Sequence, residues 1–434
     1  MKNSKIKIIL ALVVLFVTAA AAGAEEASVL EKLLAEAGQN NPLISASEAR
    51  VKRAEQAVLE AKGQMGPKIG VAAGATWGED QITATMRTPL GTNLLPLGFK
   101  DTYMTAFGFV QTVYAGGSLY ANRQSKELAL DAVKAEKTRT VQSIENAVRL
   151  AYYNRRRAAE KELVAEEAVA LTKQHLARAE KLFKAGVAAK GDILRTKVAV
   201  AEAEMNLIKA QNASELAISA LERAIGHGID REMLIKDKYM PVDPLFGVVP
   251  ENIAEQAYAS RAELKMYKLL SGQAEKVARA AKGQSLPQIV AAGGLYAMDD
   301  EFYPSDREEF RIGVLAYWKL FDSGVVKAKT AQAKEQANEL LFRLEDMKNI
   351  VKMEVTQASQ NLDSAKARYI VADRRVTEAE EDYRIAVKRY EAGAGTNLDM
   401  LDARLSLTNS KSDFIDALFD IETANAGLIY AVGE

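Results

Sequence analysis

From Leu340 the apolar positions recur at steps of three and four: Leu344, Met347, Val351, Val355, Ala358, Leu362, Ala365, Tyr369, Ala372, Val376, Ala379, Tyr383, Ala386 and Tyr390. Such steps place every member on one face of a helix, as a coiled-coil seam with one stutter. Subtracting 207 gives a second seam, Ile144, Val148, Ala151, Ala158, Ala165, Val169, Thr172, Leu176, Ala179 and Phe183, interrupted by Arg155 and Glu162. The pattern predicts helices over 119–185 and 325–392. At about 67 residues each would be roughly 100 Å long. No globular core needs helices of that length.

The seams belong to a wider repeat. Ala61-Lys62-Gly63-Gln64 returns as Ala281-Lys282-Gly283-Gln284 at an offset of 220, each followed by a proline (Pro67, Pro287) and a small-residue run. Phe183-x-x-Gly186 returns as Tyr390-x-x-Gly393, and Asp192-Ile193-Leu194 as Asp399-Met400-Leu401, at an offset of 207. The 13-residue difference places a longer loop between Gly74 and Tyr114 in the first copy. Each copy reads as a helix (28–62 or 251–282), two strands, a very long helix, a glycine turn and a return helix (192–225 or 398–432). Gly226-His227-Gly228 ends the first return helix, and Pro241 and Pro244 mark a linker. The chain divides into a leader (1–24), a first repeat (25–226), a linker (227–250) and a second repeat (251–434).

Between the helices the period changes from 3.6 to two. Phe310, Ile312, Val314, Ala316, Trp318 and Leu320 alternate with Arg311, Gly313, Leu315, Tyr317 and Lys319. Strands are predicted over 67–86, 103–114, 287–298 and 309–321. These lengths suit strands that cross a bilayer. Trp77, Tyr103, Tyr114, Tyr296 and Trp318 sit near strand ends, as the aromatic girdles of outer-membrane barrels do. An ordinary soluble hairpin with an aromatic core fits the strand pattern equally well. Four strands cannot close a barrel, and an open sheet edge in lipid leaves backbone groups unpaired. If these strands are in a membrane, several chains must each contribute four.

Composition narrows the chemistry. Lys2, Lys5 and Lys7, an apolar run over 8–22 and Ala22-Gly23-Ala24 read as a secretory leader cleaved after Ala24. The net charge is −1, and −4 once the three leader lysines are gone. That balance argues against nucleic-acid binding. The chain has no cysteine, which excludes disulfides, thiolate metal sites and cysteine nucleophiles. Of two histidines, His175 reads as a solvated helix residue beside Gln174, and His227 lies between two glycines. No zinc-protease, nucleophile-elbow or phosphate-loop pattern is present, so the reading is no enzyme, no metal and no cofactor.

The doubled order of helix, two strands and long helix hairpin resembles the TolC family of outer-membrane efflux proteins. Asn41-Pro42-x-Ile44, Tyr114-Ala115-Gly116-Gly117, Leu320-Phe321-Asp322-x-Gly324, the two glycine turns and Asp399-Met400-Leu401-Asp402-Ala403 carry the likeness. The resemblance implies a mainly α fold with a small β part. Three chains would build a helical α-barrel across the periplasm and a twelve-stranded β-barrel in the outer membrane of a Gram-negative bacterium. It implies a passive exit duct for efflux or type I secretion, docked by a periplasmic adaptor to an inner-membrane pump of the RND, ABC or MFS type. Asp399 and Asp402 match pore-facing aspartates of the periplasmic gate, and Asp192 and Tyr390 a pair that ties the closed tips. Gly186, Val187, Gly393 and Ala394 match the adaptor-docking tips. Gly395 and Lys190 stand where the resemblance implies an arginine partner, so the latch departs from the family's. The rival reading is a soluble periplasmic coiled-coil adaptor or scaffold.

Overall fold

A computed structural model describes residues 28–79, 83–88, 91–96, 100–186, 188–235, 252–300 and 308–434. The leader, Val187 and most of the 227–250 linker lie outside the described residues.

The first helical stretch is two helices, α1 (Val29–Asn40) and α2 (Pro42–Gly63), rather than the one expected over 28–62. Proline bars the residue before it from helical backbone. Asn41 therefore turns out of the helix (φ −68°, ψ 123°), and its Oδ1 accepts the Leu43 N–H at 2.9 Å. Asn41 Nδ2 donates to the Ala224 carbonyl at 2.8 Å, fixing the break against the return helix. Strands β1 (Lys68–Trp77), β2 (Thr83–Thr88), β3 (Gly91–Pro96) and β4 (Asp101–Ala115) follow. The single strand expected over 67–86 ends as β1 at Trp77, and its last residues belong to β2, which pairs with β3 in the extra loop of the first copy as a separate antiparallel hairpin that the pattern did not predict. Then come α3 (Ser118–Lys184), α4 (Lys190–Ile225) and the short α5 (Arg231–Ile235).

The second half runs α6 (Ile253–Ser260), α7 (Ala262–Gly283), β5 (Gln288–Asp299), β6 (Glu308–Tyr317), α8 (Val325–Glu391) and α9 (Asn397–Val432). The helix expected over 251–282 is again broken, here at Arg261 (φ −63°, ψ 117°), without a proline. The buried Arg261 guanidinium holds that corner: it donates to the Ala431 carbonyl at 3.0 Å and lies 2.5 Å from Glu354 and 3.2 Å from Glu263.

Both long helices have 67 residues, about 100 Å of rise. Every stepped position of the α8 seam is buried or half-buried. The interrupting Arg155 is buried on the α3 seam, whereas Phe183 at its end is exposed. Two equivalent cores pin the helices near mid-length. Ala37, Ile44, Ile144, Val148, Leu221 and Ile225 form one. Ala257, Leu264, Val351, Val355, Leu428 and Val432 take the same places in the other half.

The main sheet is antiparallel in the order β1-β4-β5-β6, so β1 and β6 are open edges. It is thin and exposed: Ile69, Val71, Phe310, Ile312 and Val314 all face outward from the chain. Its centre is built on backbone contact, since a Cβ on Gly294 would lie 2.3 Å from the Phe107 carbonyl oxygen.

Candidate functional site

The long helices stop at glycines with left-handed backbone, Gly186 (φ 76°) and Gly393 (φ 71°). Glycine takes this conformation without the Cβ penalty. Ala394 is exposed and donates its N–H to the Arg389 carbonyl at 2.9 Å. Gly395 packs against Arg389, whose guanidinium donates to the Ala394 carbonyl at 3.4 Å. An arginine is thus present at this tip, six positions before Gly395.

Asp399 has a structural job. Thr396 caps α9 by accepting the Asp399 N–H at 3.1 Å, and Asp399 Oδ2 accepts the Thr396 N–H at 3.1 Å. This reciprocal box satisfies two end groups of the helix. Those hydrogen bonds from Thr396 hold the Asp399 carboxyl below the usual carboxylate range. Asp402 is exposed three residues on, on the same helix side. Asp192 takes the equivalent place in α4, its Oδ2 accepting the Ala189 N–H at 3.3 Å.

Behind these carboxylates lies a buried polar cluster that joins all four long elements. His175 of α3 is 2% exposed, and its Nε2 lies 2.7 Å from Asn397 Oδ1 of α9. Asn397 Nδ2 donates to the Asp192 carbonyl of α4 at 3.3 Å. A carbonyl only accepts, so Asn397 must turn its amide nitrogen there and its oxygen toward His175. The neutral imidazole therefore carries its proton on Nε2. Thr196 Oγ1 donates to the Asp192 carbonyl at 2.7 Å and lies 3.4 Å from Asn397 Oδ1. Tyr390 of α8 stacks edge-on against His175 at 5.2 Å.

Two atoms of the cluster have no partner among the described residues, His175 Nδ1 and the Tyr390 hydroxyl. The tie expected between Asp192 and Tyr390 is not made as a hydrogen bond in the single chain. Burial, reinforced by the Asp192 charge, raises the Tyr390 hydroxyl above its ordinary value. Burial lowers His175, opposed by its bond to Asn397. His175 was expected to be solvated; instead it replaces Leu176 as the inward residue of its turn, between Thr172 and Ala179. The signal was available, because 172, 175 and 179 also step by three and four.

At the other end of the molecule, aromatic residues occupy two levels of the sheet. Trp77 meets Tyr103 edge to face at 6.4 Å, and Tyr296 stands opposite Ala106 on the neighbouring strand. Tyr114 lies eleven residues along β4 from Tyr103, about 36 Å at strand rise. Trp318 lies just beyond β6 and donates its Nε1–H to the Ser285 carbonyl at 3.1 Å. Among the described residues no helix is long and apolar enough to cross a membrane, and no His, Asp and Glu group could hold a metal.

The same fold occurs in solved structures. The outer membrane protein VceC of Vibrio cholerae matches with a TM-score of 0.77 at 21% identity, covering 93% of this chain and 96% of that one. The transmembrane channel CusC gives 0.82 at 17%, covering 93% and 92%. The open state of the outer membrane channel MtrE of Neisseria gonorrhoeae gives 0.74 at 18%, covering 93% and 88%. By sequence the chain is 24% identical over 262 residues to the alkaline protease secretion protein AprF of Pseudomonas aeruginosa, covering 58% of this chain. The match spans 54% of the length of AprF, about half of that relative. The family model described as outer membrane efflux protein matches 33–227 and 253–434, nearly the whole of both halves. The chain belongs to the outer membrane efflux protein family, which sets aside an enzyme or a soluble scaffold and places it in the outer membrane.

Proposed function

We propose that three copies of this chain form a passive exit duct through the outer membrane. The observation that carries this is the four-stranded sheet, open at β1 and β6, standing on helices about 100 Å long. An edge exposed to lipid is forbidden, so the sheet must continue into other copies. Three copies give twelve strands, an even number within the range of closed barrels. The exposed apolar strand residues then meet lipid, with Trp77 and Tyr103 at one interface and Tyr114 and Trp318 at the other; Tyr296, opposite Ala106 and Glu309, lies on the other face of the sheet and so departs from the expected girdle. The helices line a tube through the periplasm, and their tips form its entrance.

In this reading Asp399 and Asp402, repeated three times around the axis, form an acidic gate that favours cations. Asp192, Tyr390 and the His175–Asn397 cluster hold the tips closed. The turns at Gly186, Val187, Gly393 and Ala394 receive a periplasmic adaptor, which connects the duct to an inner-membrane pump of the RND, ABC or MFS type. AprF is by name a secretion protein, which supports protein export beside small-molecule efflux as the cargo. Residues 1–24 direct export and are removed.

The test is purification from outer membranes in detergent, followed by currents in a planar bilayer. A trimer that gives discrete single-channel currents is expected. A monomer soluble without detergent would overturn the duct.

A further inference from the structure

Resting on the duct reading above, we propose that Arg311 sets the ion preference of the membrane barrel, as a basic ring at mid-bilayer level that acts against the acidic residues of the tips. Strand register places it. Opposed residues of neighbouring strands share one face of a sheet. Ile69, Phe109, Gly293 and Ile312 make one such row, and Val71, Phe107, Leu295 and Phe310 the next. These rows belong to the apolar face, which also carries Trp77 and Tyr103 and meets lipid in a closed barrel. The opposite face therefore lines the lumen. There Gly70, Gly108, Gly294 and Arg311 make one row, and Ala72, Ala106, Tyr296 and Glu309 the row beside it.

Arg311 is thus the one large side chain of a row otherwise made of glycine. Gly108 lies five residues from Tyr103 and six from Tyr114 along β4, so the row stands midway between the two aromatic levels. A charge at that depth is costly against lipid and faces a water-filled interior, where it belongs to the ion path. The glycines are not all there for want of space. A Cβ on Gly70, or on Gly313 one row further along, would meet nothing within 4 Å, and neither residue has left-handed backbone. Glycine weakens a strand. Its effect here is to leave the lumen wide, so that Arg311 with its neighbours Glu309 and Tyr296 is what projects into it at this level.

The charge is held close to the wall. Arg311 Nε donates to Glu309 Oε2 at 2.8 Å, and Nη2 donates to the same oxygen. Glu309 offsets one cation, but Lys68 stands on the same face in the row of Gly313, so two cations face one anion in each chain. Twelve strands spaced at about 4.8 Å and tilted by about 40° close at a radius of roughly 12 Å, which puts a wall-held guanidinium about 8 Å from the axis. In 0.1 M salt, three charges at that distance change the local concentration of a monovalent ion about threefold, enriching anions and depleting cations. Cargo carrying carboxylate or phosphate groups is drawn to this level, at the opposite end of the duct from Asp399 and Asp402.

The test is made on detergent-purified trimers in a planar bilayer under a KCl gradient. Arg311→Gln is expected to raise the cation-to-anion permeability ratio at least about threefold over the parent in 0.1 M salt, with the difference fading at 1 M, where the Debye length is about 3 Å. Glu309→Gln is expected to lower the ratio. Tripolyphosphate added on the outer side is expected to block the parent more strongly than Arg311→Gln. Ile312→Arg, on the opposite face, is expected to reduce the amount of assembled trimer. Equal permeability ratios and equal tripolyphosphate block in parent and Arg311→Gln trimers overturn the proposal. An Ile312→Arg trimer that assembles fully and shifts selectivity overturns the assignment of faces. Parent trimers that give no channel currents would instead overturn the duct reading itself.

Discussion

His175 and Asn397 lie 222 positions apart in sequence and 2.7 Å apart in space, and their bond ties the end of α3 to the start of α9. It is made in a buried site, so its partners are fixed and its protonation matters. The groups facing the imidazole are Arg178 on α3, Asp192 on α4, Tyr390 on α8 and Arg404 on α9. The two arginines and burial disfavour a second proton; Asp192 alone favours it electrostatically. The folded value therefore lies below the ordinary one of about 6.5. An opened tip takes up the proton first as pH falls through that ordinary value. The stability that neutral His175 gives the closed tip is whole above it and is lost progressively below, down to the folded value. Protection factors at 172–186, 188–200 and 388–402, with the intrinsic pH dependence of exchange divided out, should fall between about pH 7.5 and pH 5.5. His175→Phe should flatten that dependence; an unchanged slope would remove His175 from the latch.

Asn397 satisfies both neighbours at once. Asn397→Leu leaves His175 Nε2–H without an acceptor in a dry site. The expected cost is about 1–3 kcal/mol in local stability, confined to the tips. Exchange protection there should fall while protection around Val148 and Val355 holds. A uniform loss across the chain would point to misfolding instead.

The acidic pair requires substitutions that separate charge from capping. Alanine at Asp399 would also break the box with Thr396. Asparagine keeps an acceptor for the Thr396 N–H and removes the charge. Asp399→Asn with Asp402→Asn should therefore leave the thermal midpoint nearly unchanged and reduce cation preference in single-channel currents. Unaltered selectivity would reject the acidic gate.

The sequence made the long helices legible to within two residues at each end, because an unbroken seam of threes and fours has one geometric solution. Strand positions were legible where Phe310, Ile312 and Val314 alternate with small or polar residues. The break at Asn41 was hidden because the apolar pattern continues through it, and only Pro42 marks the turn. In Thr83–Thr88 polar residues occupy both faces, so β2 carries no burial signal. The tip glycines and Asp399 could be found from local motifs. The His175–Asn397 bond could not, because it depends on how two hairpins are set side by side.

Arg261 offers a test of the corner between the halves. The residue is 2% exposed, and its guanidinium touches Glu263, Glu354 and the Ala431 carbonyl. Arg261→Met keeps the volume but strands two carboxylates, one of which, Glu263, also faces Arg139 at 2.6 Å. Glu354 is 39% exposed and Glu263 keeps Arg139, so water and that arginine offset part of the lost pairing, and the cost is expected to be about 1–3 kcal/mol, close to that of leaving the Ala431 carbonyl without its donor. The thermal midpoint should fall accordingly. Adding Glu354→Gln should recover part of the loss, because an amide needs no counter-ion. No recovery in the double variant would assign the effect to lost packing.

Two glycines with the same backbone sign should respond differently to alanine. Gly393 has φ 71° with open space where a Cβ would stand. Gly226 has φ 101°, and its Cβ would lie 2.8 Å from Pro42 Cδ and 3.0 Å from Asn41 Cα. Gly393→Ala therefore meets only the left-handed penalty, about 1–2 kcal/mol, at a helix end that can fray. Gly226→Ala meets that strain and also drives α4 away from the Asn41 corner, breaking the 2.8 Å bond to Ala224. Its cost should exceed that of Gly393→Ala by at least the net worth of one hydrogen bond, about 1 kcal/mol. Urea unfolding of the two variants against the parent measures the difference. If the tip glycine receives an adaptor, Gly393→Ala should weaken transport in cells out of proportion to its small stability loss, whereas Gly226→Ala should lower the amount of assembled protein.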